Sequence, residues 1–64
     1  MFGFKKYWLV TVQEVGGSDI IPNKEVFVCR DKNAWDAFDA VKAFCKVQKE
    51  RTGNKWEVLS MVRL

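Results

Sequence analysis

The chain contains no histidine, so the commonest general base and metal ligand is missing, and every other reactive group must be weighed on its neighbours. Cys29 has Arg30 and Lys32 close by in sequence. An electropositive setting of that kind activates thiols, but no base accompanies this one. Cys45 falls on an apolar stripe and reads as a small hydrophobe. The two cysteines lack Cys-x-x-Cys spacing, which argues against a disulfide framework, a redox pair or a zinc site. A bridge between them would need their Cα atoms within about 7 Å. Asp36 and Asp39 share a polar helix face and read as solvated, dipole-directed carboxylates. Ser18 and Ser60 have no triad partners, and Gly16-Gly17 lacks the Gly-Lys-Ser/Thr run that makes a phosphate loop. The expectation is a protein that is not an enzyme and holds no cofactor or metal.

Recognition chemistry remains. At 100° per residue, Trp35 shares a helix sector with Lys42, Lys46 and Lys49, and an aromatic beside three lysines is a candidate anion-binding surface. The competing reading makes Trp35 a rim residue folded over the core edge. The lysines then do no more than complement the negative end of the helix dipole.

The element that positions these residues runs from Asn33 to Gly53. Asn33 is a good N-cap, and Asp36 three positions on can reach back in the manner of a capping box, with Asp31 the rival cap. Thr52-Gly53-Asn54 supplies a stop that reaches the left-handed conformation cheaply. Ala34, Ala37, Phe38, Val41, Phe44, Cys45 and Gln48 form one broad stripe, the spacing of a core-facing helix over 33–52.

Three segments alternate with period two and read as strands: 4–13, 24–30 and 55–63. The connection 14–23 is too long for a two-residue hairpin, and Gly16-Gly17-Ser18-Asp19 is its expected turn. Pro22 removes a ladder donor, which marks the second strand as an edge. The first strand is the longest and most apolar. A right-handed crossover through the helix returns the third strand parallel to the second. The expected fold is a single ββαβ domain of the α+β class, with a three-stranded sheet in the order 2-1-3 and the helix on one face.

Sixty-four residues sit near the lower size at which one core stabilises a chain, and the core depends on large side chains, here three Trp and five Phe. The hydrophobic share of 48% against 30% charged marks a globular chain. The longest uncharged apolar run, Tyr7 to Val12, is far short of a membrane span or signal-peptide core. A soluble, cytoplasmic protein is expected. The net charge of +3 favours anionic partners only mildly.

One helix covers one side of a sheet, yet both alternating sets here are apolar. If Trp8, Val10, Val26, Val28, Trp56, Val58 and Val62 pack under the helix, then Tyr7, Leu9, Thr11, Phe27, Cys29, Leu59 and Met61 point the other way. A patch of that size usually marks an interface. Ile20 and Ile21 either fold onto the core or form an apolar tip for a partner. The candidate partner-binding residues are therefore Tyr7, Leu9, Ile20, Ile21, Phe27, Leu59 and Met61. They would serve a protein partner or a homodimer, formed back to back or edge to edge, unless the flanking segments cover the patch. A small regulator or inhibitor fits, of the kind phages encode against host or defence machinery. The alternative is a single-stranded nucleic-acid binder, with Tyr7 and Phe27 stacking bases while Lys5, Lys42, Lys46, Lys49, Lys55 and Arg63 meet phosphates.

Overall fold

A computed structural model describes residues 6–16 and 21–64. Phe4 and Lys5, expected to open the first strand, and Gly17, Ser18, Asp19 and Ile20 of the connection lie outside the described residues. The elements are β1 (Lys6–Val15), β2 (Lys24–Asp31), α1 (Ala34–Thr52) and β3 (Lys55–Arg63). The sheet order is β2-β1-β3, with β1 antiparallel to both neighbours. This is the small α+β fold expected from the pattern, with β1 central and the strand that follows Pro22 at an edge. β1 itself continues to Val15, into the stretch read as connection.

The ends of α1 are chemically specified. Asn33 has an extended backbone and its Oδ1 accepts from the Asp36 N–H at 2.9 Å, while its Nδ2 donates to Asp36 Oδ2 at 3.3 Å. Asp31, the rival cap, instead accepts from the Lys32 N–H through its side chain. At the other end Gly53 adopts φ 78° and its N–H donates to the Lys49 carbonyl at 2.8 Å. A Cβ at Gly53 would meet nothing within 4 Å, so the demand for glycine comes from the left-handed backbone and not from crowding.

The core lies between α1 and one face of the sheet. Trp8, Val10, Val12, Ala37, Val41 and Trp56 are buried, with Phe27, Cys29, Phe44, Cys45, Val58 and Met61 packed around them. Ala34 and Phe38, both placed on the helix stripe by spacing, are exposed.

A polar clasp closes the end of the core where α1 stops. The Glu14 carboxylate is buried and accepts from Asn23 Nδ2 at 2.9 Å and Asn54 Nδ2 at 3.1 Å. The Thr52 hydroxyl donates to the Gln48 carbonyl and accepts from the Trp56 indole N–H at 3.0 Å. β1, the β1–β2 connection, the helix end and β3 are thereby tied at one place. Hydrogen bonds from Asn54 first, then Asn23, hold the Glu14 pKa below its ordinary value despite the opposing effect of burial.

A lowered folded-state pKa stabilises the fold above the unfolded value of about 4.3 and loses that effect as pH falls through the folded value. Unfolding midpoints of wild type and Glu14→Gln should therefore differ most above about pH 5 and converge below about pH 4.3. A gap constant across that range would show that the ionised carboxylate contributes nothing particular.

Candidate functional site

Residues directly opposite one another in an antiparallel pair point to the same face. Trp8 pairs with Cys29 and Val10 with Phe27, so Phe27 and Cys29 belong to the helix side. Phe27 packs its ring on Phe44, with centroids 4.6 Å apart and planes tilted by 44°. Cys29 directs its Sγ toward the Ala37 carbonyl, 3.8 Å away. This corrects the assignment of both residues to the open face. Either alternating set of β2 could have been buried on hydropathy alone. The set that is buried contains the larger Phe27, which removes more apolar area from water than a valine does.

A bulge in β3 produces the second correction. Thr11 pairs with Ser60 but the next residue, Val12, pairs with Val58, leaving Leu59 without a partner. The extra residue shifts the inside/outside parity of everything after it. Met61, opposite Val10, therefore packs on the core. Val62, opposite Leu9, takes the exposed position that strict alternation had given to Met61.

The outer face that results is built from four aligned rows. Arg30 lies beside Tyr7, with its guanidinium carbon 5.8 Å from the ring centroid. Val28 and Val62 flank Leu9, Val26 and Ser60 flank Thr11, and Lys24 and Glu57 flank Gln13. Leu9 stands on the central strand with neighbours on both sides and is still 39% exposed, while Val28 is 54% and Val62 55% exposed. Tyr7, Leu59 and Leu64 add exposed apolar surface, and Ile21 is exposed beside Pro22. Ile20 lies outside the described residues. The face is thus aliphatic at its centre, with Tyr7 as its sole aromatic among the described residues.

The anion-binding candidates lie on the far side of the molecule, on α1. Trp35 is 80% exposed, so it does not fold over the core edge. Lys42 stands 5.3 Å from the Phe38 ring centroid and 3.3 Å from Asp39 Oδ1, an exposed pair worth little. Among the described residues this is the one ion pair, which leaves Lys46 and Lys49 exposed and unbridged. The structure therefore separates two surfaces, an aliphatic sheet face and a helix flank carrying Trp35 with lysines.

Burial sets the state of both thiols. Burial raises the pKa of both Cys29 and Cys45, with the nearby Asp31 charge adding to the effect at Cys29. Both are then predominantly neutral thiols at pH 7. No cluster of three His, Cys, Asp or Glu that could hold a metal ion occurs among the described residues. A cleft of about 290 Å³ beside the clasp is lined by Asn23, Lys24, Glu25, Gln48, Arg51, Thr52 and Trp56. Its Arg51 guanidinium already donates to Gln48 Oε1. Among the described residues no helix is long and apolar enough to cross a membrane. The chain matches no family model, and neither a curated protein nor a solved structure is detectably similar to it.

The register has a direct thermodynamic signature. A double-mutant cycle of Phe27→Ala and Phe44→Ala should return a coupling of about 0.5 to 1.5 kcal/mol, as contacting aromatic pairs do. Independent effects would place Phe27 off the helix side and invert the face assignment.

Proposed function

We propose that this chain is a protein-binding module, a small regulator or inhibitor that acts through the apolar outer face of its sheet, which docks on another protein chain. The observation that carries the reading is the exposure of Leu9 on the central strand, flanked by exposed Val28 and Val62. An antiparallel sheet with one solvated face normally carries polar residues there, and contiguous apolar surface is usually reserved for association. The aliphatic character of the rows favours a protein surface over nucleic-acid bases, which stack on aromatic rings. Neutral thiols and the absence of histidine support a non-enzymatic role. Unpaired cysteines suit the reducing cytoplasm. A phage-encoded modulator of host or defence machinery belongs to the same proposal.

The test compares wild type, Leu9→Asp and the Lys46→Glu/Lys49→Glu pair as immobilised baits, each first shown to be folded by circular dichroism. Specific protein capture should survive in the lysine variant and fall by about tenfold or more with Leu9→Asp, since central interface residues dominate binding energy. Capture indifferent to Leu9→Asp would overturn the reading.

A second reading rests on the exposure of Trp35 on the same helix flank as Lys46 and Lys49, which lie about 16 and 21 Å further along the axis. It makes the helix flank a contact for single-stranded nucleic acid, with an indole stacking on a base and ammonium groups at phosphates. The sheet-face version of that reading loses Phe27, which lies under α1. Titration with a single-stranded oligonucleotide should quench tryptophan fluorescence at low salt, release at high salt, and be lost in Lys46→Glu/Lys49→Glu. No quenching at low salt would end it.

A further inference from the structure

We infer that the occupant of the outer sheet face is a second copy of this chain, packed back to back about a two-fold axis that runs along β1. The inference rests on the docking reading above and names its partner. Two features of the face argue for it, one of shape and one of charge.

Three strands about 4.8 Å apart and four outward rows about 6.8 Å apart give a face of about 390 Å² in projection, with Leu9, Val28, Val62 and Val26 as its apolar centre. Its centre is self-complementary. A two-fold axis along β1 sets Leu9 against its own equivalent and Val28 against Val62 of the second copy, because β2 of one copy then lies over β3 of the other. Stacked sheets aligned within about 30° and separated by about 10 Å interdigitate such rows.

Charge selects this axis over the other in-plane choice. Lys24 and Glu57 sit on opposite sides of Gln13 and point to the same face. Rotation about β1 brings Lys24 of each copy over Glu57 of the other, twice per dimer. Rotation about the perpendicular in-plane axis would instead bring Lys24 over Arg30, at the two ends of the same strand, and set like charges together. The pattern is isologous, as a closed dimer requires.

The test is solution mass by light scattering and sedimentation equilibrium, with circular dichroism confirming that each variant folds. Wild type should be a dimer and Leu9→Asp a monomer. Lys24→Glu and Glu57→Lys should each weaken the dimer by about tenfold, since one substitution places two like-charge pairs in the interface. The double reversal Lys24→Glu/Glu57→Lys should return to within about threefold of wild type. A dimer that persists in Leu9→Asp would be paired through strand edges and would overturn the proposal. A double reversal as weak as either single would exclude the β1 axis and overturn it as well. A monomeric wild type overturns the second copy in every case. The docking reading then stands if protein capture still depends on Leu9, and falls with it if capture does not.

Discussion

A three-stranded sheet has two faces, and α1 covers only one of them. The side-chain alternation of β1 decides what is left over. Trp8, Val10, Val12 and Glu14 point to the helix, so Tyr7, Leu9, Thr11 and Gln13 must point away. Both neighbours of β1 are antiparallel to it, and each therefore has its own faces assigned by the residues it pairs with. The buried core and the exposed apolar rows are two consequences of one register. A slip of one residue in either pairing would exchange them.

The two ends of the sheet are held by different physics. At the Val15 end, Glu14, Asn23, Thr52, Asn54 and Trp56 exchange hydrogen bonds across the β1–β2 connection, the helix terminus and β3. No buried side-chain polar atom is left without a partner among the described residues, which is what permits a carboxylate at the core edge at all. Toward the Tyr7 end the helix side is filled by Trp8, Cys29 and Ala37 instead. The polar clasp sets where the helix must stop, and the Asn33 cap sets where it must start. The length of α1 is thereby matched to the sheet it covers.

Much of this was legible from residue types. Asn33 with Asp36, and Gly53, define α1 by local chemistry that tertiary context did not override. Pro22 and the length of the first strand led to the order with β1 in the middle. The faces of β2 and β3 were harder because both alternating sets are apolar, so period two gave no contrast to read. In β3 the run Val58-Leu59-Ser60-Met61 held a warning. Strict alternation put Ser60 inside and Met61 outside, a polar-for-apolar exchange that a bulge at Leu59 resolves. In β2 the helix supplied the missing information, since Phe44 offers a ring to Phe27 that Val26 or Val28 could not use as well. Tyr7, Leu9 and Leu59 were placed on the open face by pattern. The pattern placed Phe27 and Met61 there as well, but both pack on the helix side, and Val26, Val28 and Val62 take the exposed positions instead.

The exchange changes the character of the surface. A face containing Phe27 and Tyr7 would offer two stacking platforms, whereas the observed rows offer branched aliphatic side chains around Leu9. Aliphatic rows gain by excluding water over an extended, shape-matched area, which suits a second sheet better than a flexible strand of bases. The aromatic that is available for stacking, Trp35, lies on the helix, across the full thickness of the molecule from Leu9. A partner on the sheet face leaves that flank untouched. In a back-to-back dimer both helices face outward, and Trp35, Lys46 and Lys49 are displayed twice. The one-sided cover that leaves the outer sheet face exposed therefore leaves the helix flank exposed as well.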